Sequence, residues 1–303
     1  MASNLVLLQN DFWQTGILPG TGASIAFGRV QRGGQWIDVL RPTPEADYNN
    51  SGKCSSFIML PWCNRIKDGL LRFNGQEYQL EITPDDGTAR HGDVRKRAWD
   101  IDSQDETQVH LSLDSRQQPK VNFPFQFSAQ AEYSLDGRDF VWRLTLKNED
   151  SQQMPGGFGH HPYFVRPSRD DAPLLTVPCD AEFELVDFMA VAPPVPVSPR
   201  LDFRQSRAVR EMELNDLLTS RHEDAPTRLV YPGWGIELAF YSDALFKHIL
   251  VYTPPGENSV AVEPMTNASD GFNLYEQGIA ESGVFVLAPG QSISAEVRLR
   301  LES

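Results

Sequence analysis

From residue 125 to 135 every second position is apolar: Phe125, Phe127, Ala129, Ala131, Tyr133 and Leu135 alternate with Gln126, Ser128, Gln130, Glu132 and Ser134. Successive side chains point to opposite faces only in an extended strand, so the pattern demands a long strand with one buried face. Asp136-Gly137 supplies a turn, and Phe140, Trp142, Leu144 and Leu146 then resume the alternation. Together these predict a long antiparallel hairpin. Two more hairpins follow from Asn74-Gly75, joining Leu71 and Phe73 to Tyr78, Leu80 and Ile82, and from Gly33-Gly34, joining residues 24–30 to 36–40. Ile293, Ala295, Val297, Leu299 and Leu301 repeat the period-two pattern near the C-terminus.

Helical signal is thin. Apolar spacing suited to a helix occurs only over residues 206–219, which also reads as a loop with one turn. Glycine and proline are spread throughout, with no composition shift and no repeat. Residues 1–303 therefore read as a single all-β domain, most simply a sandwich of long antiparallel sheets. The proline-rich run Val191-Ala192-Pro193-Pro194-Val195-Pro196 is too short for a linker and reads as an extended crossing loop on the sandwich edge.

A net charge of -14 disfavours nucleic acid and anionic membrane as partners. Cys54, Cys63 and Cys179 are odd in number and lack metal-type spacing, which points to a reducing compartment. Residues 1–20 carry no basic n-region, and no apolar run approaches transmembrane length, so a cytoplasmic protein is expected.

Chemistry concentrates in Gly159-His160-His161-Pro162-Tyr163-Phe164, which crowds two imidazoles and two aromatic rings around a proline. Such a run suits the floor of a sugar pocket, with rings for stacking and an imidazole near its working pH. On an extended segment His160 and His161 point to opposite sides. Glu263 follows the apolar run Ser259-Val260-Ala261-Val262 and precedes Pro264, which is expected to end the strand. A carboxylate so flanked is placed for desolvation and a raised pKa.

These elements, read with Asn64-Arg65-Ile66, His91-Gly92 and the late Leu287-Ala288-Pro289-Gly290, resemble the galactose mutarotase-like family, the aldose 1-epimerases. The resemblance spans residues 64–290. It implies the family's β-supersandwich and the interconversion of sugar anomers, with no cofactor and no metal. It implies Glu263 as general base and His161 as general acid, with Arg65, Asn64 and His91 binding a small-molecule sugar. The family's sugar-binding aspartate falls at Asn215, one position before Asp216. Trp234 is a free aromatic that could stack on a sugar face or simply be buried. Arg95 and Arg97 could close on one anion, because on an extended strand they share a face while Lys96 points away. That leaves two rivals to a neutral-sugar epimerase: an epimerase of an anionic sugar such as a hexose 6-phosphate, and a non-catalytic sugar-binding protein on the same fold.

Overall fold

The computed structural model describes residues 5–167, 172–209 and 212–302. Among these, two large antiparallel sheets of twelve and nine strands face one another. The expected hairpins form: Phe127–Asp136 pairs with Asp139–Asn148 along its whole length, Leu70–Phe73 with Gln76–Gln79, and Ser24–Arg32 with Gln35–Leu40. The nine-stranded sheet holds the first of these. The C-terminal strand Ser292–Leu301 lies in its middle, between Asp139–Asn148 and Ile236–Ser242.

The twelve-stranded sheet runs from Val6–Gln9 through Gln35–Leu40, Tyr163–Val165, Ser259–Met265 and His248–Tyr252 to Asn215–Arg221, and ends at the edge strand Val195–Pro196. The proline-rich run thus contributes a short edge strand, where a missing backbone donor costs least. Alternation divides this sheet's side chains between two clusters. Phe164, Ile249, Val251, Val260 and Val262 enter the main core between the sheets. Tyr163, Leu250, Ala261 and Met265 face the other way, into a smaller cluster with Phe57 and Phe183. Across the main core Trp13 meets Phe140 at 5.8 Å between ring centroids, and Phe164 meets Phe240 at 6.1 Å.

Two expectations need correcting. Residues 206–219 hold no helix where they are described: Arg207–Ala208 and Asn215–Arg221 are strands, while Arg210 and Glu211 lie outside the described residues. Both strands pair with sheet neighbours, which overrides the weak helical spacing. The α-helix that does form, Gly271–Glu276, spans six residues. It docks on the Leu70–Phe73 hairpin, where Asn273 Nδ2 donates to Leu70 O at 3.0 Å and the Glu276 carboxylate accepts from Asn74 and Gly75 N. Second, Pro264 does not end its strand, which continues to Met265. On one side the pairing is interrupted there: Gly159 pairs with Met265 and Tyr163 with Ala261, and between them only Pro162 O keeps a ladder bond, accepting from Val262 N at 3.3 Å. A residue without an N–H costs little beside such a gap. Among the described residues no helix is long and apolar enough to cross a membrane.

Candidate active site

The interrupted stretch decides which way the two histidines face. His160 turns into the main core, its ring 5.1 Å from that of Trp142. His161 turns to the outer face, where its ring lies between Phe57 at 4.5 Å and Tyr163 at 4.6 Å. The backbone N–H of His161 donates to Phe57 O at 3.0 Å, which fixes the segment. Glu263 alternates outward from the neighbouring strand, and its Oε1 lies 3.0 Å from His161 Nε2. Both groups are buried, Glu263 at 1% exposure and His161 at 4%. The remaining atoms of the pair, Glu263 Oε2 and His161 Nδ1, have no hydrogen-bond partner.

Burial sets the charge state. Desolvation pushes the Glu263 carboxyl well above the ordinary carboxylate value, against the pull of the Arg65 guanidinium. The same effect draws His161 down to about 3. Both shifts favour the uncharged forms, a protonated carboxyl beside a neutral imidazole.

The other donors come from short irregular segments. Arg65–Ile66 pairs with Ala89–Arg90, and His91 N donates to Asn64 O, which ties the two segments together. Asn64 and His91 both take positive φ, at 53° and 61°. Gly92 follows at φ 68°, and an added Cβ would meet the Leu60 backbone. The His91 ring sits 5.2 Å from that of His161, edge to face, with Nδ1 buried and unpartnered. Arg65 is pinned on several sides: Nε donates to Asp86 Oδ2 at 3.1 Å, Nη1 donates to Asn64 Oδ1 at 2.9 Å, and its guanidinium lies 4.6 Å over the Phe188 ring. Arg90 shares the same Asp86 oxygen at 3.1 Å. Arg65 therefore pairs with Asp86, twenty-one residues further along the chain.

These side chains line one cavity of about 1000 Å³, together with Asn215 and Asp216. Asp216 is engaged by Arg200, whose Nη1 and Nη2 donate to it at 2.9 and 3.1 Å, whereas the Asn215 side chain has no such clamp. Arg95 also lines the cavity. It is 9% exposed, lies 5.1 Å over the Phe57 ring, and its Nε finds no acceptor. Burial draws its pKa down to about 10, far enough above neutrality to keep it charged.

Two sequence candidates are elsewhere. Arg97 does not share a face with Arg95, because Val94–Lys96 forms a 3-10 turn and the alternation of an extended strand does not apply. Its guanidinium grips Asp93 and donates to Pro119 O and Lys120 O. Trp234 sits on a 3-10 turn, Pro232–Trp234, that leads into the nine-stranded sheet, and stacks on Tyr231 at 4.9 Å, away from the cavity. Residues that the sequence did not single out include Phe57, Asp86, Arg90 and Phe188. Phe57 and Phe188 sit amid ordinary apolar residues, and Asp85-Asp86-Gly87 reads like any polar turn. Among the described residues no group of three or more His, Cys, Asp or Glu side chains could hold a metal ion.

Comparison with known proteins gives one consistent result. The family model described as aldose 1-epimerase matches residues 5–300. The Escherichia coli protein YihR is 26% identical over 221 residues, 71% of each chain. A galactose mutarotase-like protein from Clostridium acetobutylicum superposes with a TM-score of 0.87 at 16% identity, covering 99% of this chain and 95% of that one. A GalM/aldose epimerase homologue from C. elegans gives 0.82 at 19% identity over 99% of both chains. The all-β architecture is thus the galactose mutarotase-like fold.

Proposed function

The chain belongs to the aldose 1-epimerase family, and from that membership we propose that its cavity interconverts the α and β anomers of a sugar by acid–base ring opening and closure. One observation carries the reading: Glu263 Oε1 and His161 Nε2 lie side by side, 3.0 Å apart, on the cavity wall. Anomer exchange moves one proton between the C1 hydroxyl and the ring oxygen, and both oxygens are bonded to the same carbon. The acid and the base must therefore be neighbours, and a pair on opposite faces of a sheet could not serve.

Transfer of the Glu263 carboxyl proton to His161 readies the pair: the carboxylate then takes the proton from the C1 hydroxyl while the imidazolium protonates the ring oxygen. The bond between C1 and the ring oxygen breaks, leaving an open-chain aldehyde. Rotation about C1–C2 presents the other face, the C5 hydroxyl adds to it, and the two protons return to their starting groups. No net proton is gained or lost. A desolvated pair that holds one proton between its two groups suits this proton count. Arg65, Asn64, His91 and Asn215 supply hydrogen-bonding groups around the ring.

Polarimetry across a panel of neutral, phosphorylated, sulfonated and carboxylated sugars tests this. Glu263→Gln and His161→Ala should each slow exchange of the best substrate by roughly 10²–10⁴-fold, the scale of a positioned acid or base. Full activity in Glu263→Gln would remove the mechanism, whereas a wild type that exchanges no anomer would leave a sugar-binding protein. A second reading, that the sugar bears an anionic group, is supported by Arg95. It is a buried guanidinium on the cavity wall, with no hydrogen-bond or ion-pair partner found for it among the described residues. A charge so placed is costly unless a ligand answers it.

A further inference from the structure

Leu185–Val186 and Met189–Ala190 form a hairpin joined by the two residues Asp187 and Phe188. Both have positive φ, 49° and 69°. Two-residue turns of this sign favour Asn-Gly or Asp-Gly, because the second central position is strained for a residue with a Cβ. A phenylalanine there is a genuine outlier. It also keeps 46% of its surface exposed, so burial of the ring does not compensate for the strain. The turn is held from below, where Ser269 Oγ donates to Phe188 O at 2.6 Å. Met189 and Ala190 anchor its base as buried residues. The ring lines the cavity and has the Arg65 guanidinium 4.6 Å over it.

Strained backbone that persists beside a binding site points to a use for the side chain it presents. We propose that Phe188 is a substrate-contacting, specificity-determining residue: its ring forms an aromatic wall at the cavity rim against which the apolar C–H face of the sugar ring packs. The same ring steadies Arg65, so face recognition and hydrogen bonding to the hydroxyls are set from one side chain. The inference rests on the proposed epimerase activity and adds a residue to it. A flat aromatic wall selects sugars that offer an unbroken face of axial hydrogens, and rejects those in which a hydroxyl interrupts that face.

Steady-state mutarotation of the best sugar, measured for wild type, Phe188→Gly, Phe188→Asn and Phe188→Trp, tests it. Glycine and asparagine both tolerate positive φ, so these variants are expected to fold and to melt no lower than wild type. Their KM should rise roughly tenfold, the scale of one lost aromatic contact, with kcat changed by less than about threefold. Phe188→Trp should keep KM within about threefold of wild type. A KM for Phe188→Gly and Phe188→Asn within about twofold of an active wild type would overturn this inference while leaving the epimerase reading intact. A wild type that exchanges no anomer of any sugar in the panel overturns both.

Discussion

Arg95 and Arg97 differ in what neutralises them. Arg97 spends its donors on Asp93 and two backbone carbonyls, whereas Arg95 lies buried over a phenylalanine face. Arg95→Ala should therefore separate the two substrate readings. If the sugar is anionic, its kcat/KM should fall by roughly 10²-fold, the scale of one lost charge-assisted contact, while neutral aldoses change less than about threefold. Equal retention on both classes, measured by polarimetry, removes the anion role. The sequence made Glu263, His161, His91 and Arg65 legible because each sits in a short motif whose order along the chain is distinctive. It misassigned Arg97 because side-chain direction follows local backbone, and a 3-10 turn replaces the strand that the argument assumed. Asp86 escaped notice for a different reason: an acidic residue in a turn acquires meaning only when Arg65 from another segment joins the nearby Arg90 in closing on it.

At the level of elements, period-two alternation carried most of the fold. The long hairpins were readable because a one-residue slip would expose an entire apolar face. Pro264 was not, since its tolerance depends on a gap in a neighbouring strand that no local pattern announces. The turn that presents His91 is similar. Gly92 has φ 68° and its α-carbon faces the Leu60 backbone, so a methyl group there has nowhere to go. Gly92→Ala should cost at least about 1–2 kcal/mol from the left-handed conformation alone. It should also raise KM, because His91 and Asn64 are tied through one backbone hydrogen bond. Urea denaturation together with KM checks this, and wild-type stability would show that the turn relaxes freely.

Across the whole molecule, buried histidines make stability depend on acid. Burial draws His160 and His248 down to about 3. Both sit within the protein away from any carboxylate contact: His160 lies against Trp142 and Tyr133, and His248 Nδ1 lies 2.9 Å from Thr219 Oγ1. Their folded pKa values are depressed, so the unfolded chain binds more protons between about pH 6.5 and 3. Stability is fully present above that window and is lost as pH falls through it, by up to about 1.4 kcal/mol per pH unit for each histidine. His160→Leu should flatten the fall by up to one such contribution between pH 6.5 and 5, read from urea midpoints. An unchanged slope would mean that His160 protonates in place. Architecture at this scale also constrains the order of assembly. Ser292–Leu301 is flanked by strands that precede it by about 150 and 60 residues, so the nine-stranded sheet remains in two halves until it arrives. A chain still emerging from the ribosome can form its hairpins early, but the halves have no seam to close along until residue 301 is free. This late strand thus acts as a keystone. A message truncated only ten codons before that point would yield a polypeptide with every cavity-lining residue and two raw sheet edges, a substrate for chaperones and proteases and not an enzyme.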